Sequence, residues 1–224
     1  MITWKDIWTN KGKNHAWTYE DVVDMNGFND TGITVESYKQ FWKHVKDTFN
    51  MDESSSFYEI GCGAGLSLKI LKDEFGHDVG GCDYSPTSTI VSKSWDVSND
   101  IECIEAHELT SNKKYDYIVS FSVFHYFPTL DYVQNVLKIM LEKSTKGIGI
   151  FDVCDEEKKD VYVEIRKKND PNYEERYSGL NHLFIHKNFW KLFAEENDLD
   201  IIIEDQHITN YTNNKLRYNI YLIK

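Results

Sequence analysis

Proline is scarce, with 3 in 224 residues, which argues against long disordered linkers. Cysteine is sparse and scattered: Cys62, Cys82, Cys103 and Cys154 form no C-x-x-C pair, which excludes zinc-ribbon and dithiol redox motifs. Three of the four sit in apolar, strand-like runs, where a free thiol behaves as a small hydrophobe. No run approaches the roughly 18 apolar residues of a membrane span. The opening MITWKDIWTNKGKNHAW lacks the apolar centre of a secretory signal. Basic residues are in deficit, 25 Lys and Arg against 37 Asp and Glu, for a net charge of −12. That balance disfavours non-specific nucleic-acid binding, which relies on cations at phosphates. No repeat of 20–50 residues marks a solenoid or propeller. These absences lead to the expectation of a reduced, cytoplasmic protein, with no nucleic-acid or membrane partner, acting as a monomer or homodimer. The length suffices for one domain with its own core.

The pattern that is present alternates. Tyr38, Phe41, Trp42 and Val45 recur at helical spacing, so Ser37–Phe49 is expected to lay one apolar face on the body. From Phe57 onward, short apolar runs alternate with helical stretches. Strands are expected at Phe57–Ile60, Asp78–Cys82, Ile101–Ile104, Tyr117–Phe121 and Gly147–Val153. Helices are expected after the first two strands, the second with Pro86 near its start, and at Asp131–Leu141. Strand–helix alternation implies a parallel sheet with helices on both faces and right-handed crossovers. Beyond Asp155 the segment Glu156–Leu183 reads as irregular, with Asp155–Asp160 a solvated loop. A helix follows at Lys187–Glu196. Ile201–His207 and Leu216–Ile223 read as a hairpin turned at Asn213–Asn214. The fold class is therefore α/β, a doubly wound, mostly parallel seven-stranded Rossmann-like sheet with a C-terminal antiparallel hairpin and an N-terminal helical cap. It divides into a cap (1–50), a core (54–154), a substrate-side insertion (155–185), and a last helix with the hairpin (186–224).

The chemistry is concentrated in FYEIGCGAGLSLKIL. A strand enters Gly61, Gly63 and Gly65 and leaves as a helix, so the loop permits a tight turn and close backbone approach beside free helix N–H groups. Asp83 ends the next strand, where a carboxylate can accept from both hydroxyls of a ribose. The dinucleotide fingerprint G-x-G-x-x-G needs glycine at position 66, which is Leu66. An acid at Glu59 would repel a pyrophosphate and suits a cationic ligand such as an amino-acid ammonium. No G-K-[ST] follows, so a P-loop is excluded.

These residues resemble the class I S-adenosylmethionine-dependent methyltransferases. The likeness rests on Glu59-Ile60-Gly61-Cys62-Gly63-Ala64-Gly65, on Gly81-Cys82-Asp83-Tyr84-Ser85, and on Tyr115–Val119 leading into Ser120–Phe127. The resemblance implies S-adenosyl-L-methionine as cofactor and S-adenosyl-L-homocysteine as product. It places Glu59 and the backbone of Gly61, Cys62, Gly63 and Gly65 around the methionine part, Asp83 on the ribose and Tyr84 near the adenine, with Ser122 a further cofactor contact. His107 stands where the family usually has an acid, with Glu108 next to it, as the adenine contact. The activity implied is methyl transfer to an O or N nucleophile of a small molecule: a metabolite, natural-product or surface-sugar precursor. No N-P-P-Y-like motif follows the fourth strand, which argues against methylation of nucleic-acid bases. Two alternatives stay open, a non-catalytic interaction protein on this fold and an NAD(P)-dependent oxidoreductase.

His125, after the fourth strand, and His182 are the acid–base candidates, since imidazole titrates near neutrality. His182 and His186 stand four apart in an extended stretch without a third ligand, so pocket lining is expected there and no metal. Tyr126, Tyr173, Arg176 and Tyr177 are the candidate acceptor contacts. Trp4, Trp8 and Trp17 are expected to anchor a terminal helix, with a lid over the cofactor as the alternative.

Overall fold

The computed structural model describes residues 3–10, 18–110 and 113–224; Trp17 and the side chain of Arg176 lie outside the described residues. The N-terminal part supplies α1 (Trp4–Asn10), α2 (Tyr19–Met25) and α3 (Val35–Thr48). Thr18 and Thr34 start α2 and α3 with reciprocal capping boxes to Asp21 and Ser37, which satisfy N–H groups the helix itself leaves bare. The expected stripe is real: Tyr38, Phe41, Trp42 and Val45 are all buried on α3. Their rings meet Phe121 and Phe151 edge-on.

The body alternates β1 (Ser56–Ile60), α4 (Leu66–Phe75), β2 (Asp78–Asp83), α5 (Pro86–Ser94), β3 (Ile101–Cys103), β4 (Tyr115–Phe121), α6 (Leu130–Lys143) and β5 (Ser144–Cys154). Then come α7 (Lys159–Asn169), α8 (Tyr173–Arg176), α9 (Lys187–Glu196), β6 (Asp200–Asp205) and β7 (Arg217–Ile223). Among the described residues one seven-stranded sheet forms, in the order β3-β2-β1-β4-β5-β7-β6. β1 to β5 pair in parallel, and β7 inserts antiparallel between β5 and β6. The order reverses between β1 and β4, and open α/β sheets hold ligands at the carboxyl ends of strands at such a switch point. Trp42 is fully buried in one core cluster and Trp190 in the other.

Two expectations are corrected. The segment Glu156–Leu183 is not irregular: α7 runs through it, beginning just after a short 3-10 turn at Glu156–Lys158. Asp155 is no part of a solvated loop, because it is buried and accepts from the Glu157 N–H and from Lys187. The expected terminal hairpin forms as β6 and β7, and the eleven residues between them carry Ile208 and Tyr211 into the core.

Candidate active site

Gly61, Gly63 and Gly65 all have positive φ, at 73°, 54° and 86°, a region only glycine enters freely. At Gly61 a Cβ would lie 2.4 Å from the Val123 Cγ2, and at Gly65 2.4 Å from the Ser92 Oγ. Gly65 opens α4 without a side-chain cap, so the first N–H groups of α4 depend on the surrounding loop or a ligand. The loop is braced from an unexpected quarter: Asn26 Oδ1, from the N-terminal cap, accepts the Ala64 N–H at 3.2 Å.

Two carboxylates flank this loop on adjacent strands, Glu59 buried and Asp83 half-buried. Glu59 on β1 is 2% exposed, and its Oε1 accepts from Ser67 at 2.8 Å. Ser67 is bonded in turn to the Tyr38 hydroxyl. Its other oxygen, Oε2, is buried without a partner. Burial pushes the Glu59 carboxyl up to about 8, with the nearby Asp83 charge adding to the shift. Asp83, at the end of β2, accepts from the Gly63 N–H at 2.9 Å and the Ser85 N–H at 2.8 Å. Burial raises it to about 6 against the pull of these two bonds.

Both carboxylates open onto a cavity of about 1120 Å³ at the strand ends. Of the sequence candidates, Gly61, Gly63, Tyr84, His107, Ser122, His125, Tyr126, Tyr177 and His182 join them on its wall. Cys62 and Gly65 lie behind that wall, Cys62 fully buried. Glu108 is turned away, its carboxylate accepting the Glu105 N–H, and Glu105 lines the cavity in its place. Tyr173 faces a second, smaller cavity of about 320 Å³ beside α7. His186 caps α9 on the surface and does not share the cavity.

Ser122, just after β4, and Asp152, inside β5 where its register with β7 shifts, are both left-handed, at φ 59° and 62°, and the Ser122 hydroxyl donates to Asp152 at 2.8 Å. Such backbone is held only where its surroundings fix it. Tyr211 donates to the same carboxylate at 3.0 Å.

The far end of the cavity is aromatic and histidine-rich. His125 is 1% exposed, and burial with the charges of Arg217, His182 and Arg166 holds it well below the usual imidazole range. Burial, then Arg217 and Arg166, does the same to His182. His182 Nδ1 is 2.8 Å from the Tyr162 hydroxyl, while its Nε2 has no partner. Trp4 stacks on His182 with ring centroids 4.7 Å apart, and its indole N–H donates to the Asn181 carbonyl at 3.2 Å. Trp8 meets Tyr126 edge-on. At the other end Lys5 pairs with Glu105 and lies 5.8 Å from the Tyr84 ring. The helix α1 thus spans the cavity mouth, and Trp4 and Trp8 line the site as well as anchoring the helix.

Asn26, Tyr162, Arg166 and Arg217 were not singled out from the sequence, and the covering role of Trp4 and Trp8 was only the alternative reading there. Asn26 and Tyr162 belong to no motif. Arg217 starts a strand whose remaining residues are mostly apolar, a pattern that signals a strand and hides the arginine.

Residues 58–146 match the model of a family described as a methyltransferase domain. No curated protein matches the sequence. Among solved structures, the plantazolicin methyltransferase BpumL in complex with SAH is 18% identical, with a TM-score of 0.67 and 92% of each chain covered. Magnesium protoporphyrin IX methyltransferase (ChlM) from Synechocystis PCC 6803 with bound SAM is 14% identical at TM-score 0.57, covering 95% of this chain and 100% of that one. A S-adenosylmethionine-dependent methyltransferase from Clostridium acetobutylicum ATCC 824 is 12% identical at TM-score 0.64, covering 92% and 97%. At such identities the likeness is one of fold. The chain shares the fold of these S-adenosylmethionine-dependent methyltransferases, and the family match is confined to residues 58–146.

Proposed function

We propose that the chain is an S-adenosylmethionine-dependent methyltransferase acting on an O or N nucleophile of a small molecule. The observation that carries this reading is the Glu59–Asp83 pair: a buried and a half-buried carboxylate beside one glycine loop, the buried one with an unpartnered oxygen at a cavity wall. A dinucleotide pyrophosphate would meet two acids there. An amino-acid ammonium would satisfy Glu59 Oε2, and ribose hydroxyls would bond to the free lone pairs of Asp83. Gly61, Cys62, Gly63, Gly65 and Ser122 then frame the methionine part, and Tyr84 and His107 the adenine, with Glu105 rather than Glu108 facing it.

S-adenosylmethionine supplies a methyl group already activated on a sulfonium. The chain's own work is therefore positioning and exclusion of water. Trp4, Trp8 and Tyr126 close the acceptor side, and Lys5 with Glu105 ties the same helix to the adenine side. His182, neutral at pH 7, offers Nε2 as proton acceptor for a hydroxyl or ammonium acceptor when the Tyr162 contact keeps the ring proton on Nδ1. His125 is the deeper alternative. The neighbours named for plantazolicin and for magnesium protoporphyrin IX support a small-molecule or peptide acceptor. A net charge of −12 speaks against a polyanionic one.

Thermal melting tests the reading. A ligand at ten times its dissociation constant stabilises the native state by about 1.4 kcal/mol. SAM and SAH are expected to raise the melting temperature by about 3–5 °C, and NADH to leave it unchanged. A rise with NADH alone would support the oxidoreductase, and no rise with any of the three would support the interaction protein.

A further inference from the structure

The chain contains three arginines, Arg166, Arg176 and Arg217, and its other cations are lysines. Among the described side chains, Arg166 and Arg217 line the cavity, at its acceptor end. They share one aromatic ring: the Arg166 guanidinium lies 5.1 Å and the Arg217 guanidinium 5.4 Å from the centre of Tyr162. Arg166 also lies 5.5 Å from the Tyr177 ring.

Among the described residues, no carboxylate makes an ion pair with either. Arg217 is 4% exposed, its Nη1 donates to the Asp152 carbonyl and to Cys154, and its Nε has no partner. The groups facing Arg217 are Cys154, Asp152, Tyr211 and Tyr162, and those facing Arg166 are Tyr162, Tyr177 and Tyr126. Asp152 is the only carboxylate in that set, and its oxygens already accept from Ser122, Tyr211 and Gln206. Two guanidiniums therefore share at most one committed acid. Their field reaches both histidines, which it helps keep uncharged.

A buried guanidinium without a counter-ion is costly, and its flat fork of donors matches a carboxylate two bonds at a time. We propose that the methyl acceptor is a carboxylic acid whose carboxylate docks between Arg166 and Arg217, with its apolar body against Trp4, Trp8 and Tyr126. This rests on the methyltransferase reading above. The carboxylate anchors and orients the acceptor, and its charge offsets the two arginines in a chain that is otherwise strongly acidic.

The test is a calorimetric titration of the SAH-saturated protein with 4-phenylbutyrate and phenylacetate, each paired with its primary amide. The acids are expected to bind at least tenfold more tightly than the amides. Arg166→Gln, on the half-buried face of α7, is expected to bring that ratio below threefold while SAH affinity changes less than twofold. Arg217→Lys keeps the charge but loses the fork, and is expected to give an intermediate ratio; should it fail to fold, Arg166→Gln alone decides. Equal binding of acids and amides, no binding of the acids, or an unchanged ratio in Arg166→Gln would each overturn the proposal while SAH still binds. Failure to bind SAH at all would instead remove the methyltransferase reading, and this inference with it.

Discussion

Trp4 lies flat on His182, their ring planes 8° from parallel, so a helix at the start of the chain covers an imidazole 178 positions away. This contact closes one end of the cavity and adds to the burial of His182. Truncation in Trp4→Ala is expected to raise the His182 pKa by restoring hydration, with Arg166 and Arg217 still opposing the charge. Histidine NMR titration reads this directly. In the native protein the His182 signal should remain that of a neutral ring below pH 6, and an unmoved titration in Trp4→Ala would show that α1 does not shield it.

Glu59 sets up a trade between stability and binding. Its folded pKa, about 8, lies above the usual carboxylate value, so the native state holds a proton the unfolded state releases. That contribution is fully present below about pH 4.5 and is lost as pH rises through 8. Glu59→Gln is therefore expected to make the ligand-free protein more stable than wild type at pH 8–9, by a few kcal/mol. The same variant should weaken SAH binding at least tenfold. A variant less stable at high pH would contradict the burial of an ionising acid.

The buried histidines act in the opposite direction. His125, His182 and His77 are all held below their ordinary pKa by burial, so the unfolded state takes up protons the native state refuses. Their contribution is intact above about pH 6.5 and is lost as pH falls toward their folded values, at up to roughly 1.4 kcal/mol per pH unit for each. Urea melts between pH 7 and 5 should show the decline, and His77→Gln should flatten it slightly without touching the cavity.

Gly61→Ala would place a methyl 2.4 Å from Val123 Cγ2 at a φ of 73°. The expected loss is about 2–4 kcal/mol of stability, strain and clash together. Adding Val123→Ala removes the clash but not the strain, so the double variant should recover part of that loss. Full recovery, or none, would show that only one of the two terms operates.

The parallel body was legible because each strand is a short apolar run punctuated by glycine, aspartate or proline. α7 was not, for a physical reason: its apolar residues Val161 and Ile165 are exposed, at 48% and 43%, and Tyr162 is its one buried position. The amphipathic pattern there points outward, so periodicity gives no core-facing stripe. Glu59, Gly61, Gly63 and Asp83 could be picked out because local chemistry joins them within one β-α-β unit. Asn26, Trp4 and Arg217 reach the same cavity from distant parts of the chain, and only the tertiary fold brings them there. Glu108 shows the reverse limit, since neighbours in sequence put it beside His107 while a capping bond turns it away.

The proposed function requires the Glu59–Asp83 cavity to receive an adenosyl amino acid. Calorimetric titration of SAH into wild type and Asp83→Ala is its sharpest test. One-to-one binding in wild type, weakened at least a hundredfold in the variant with folding intact, is the predicted result. Equal affinity in both, or no SAH binding by wild type, would contradict the claim.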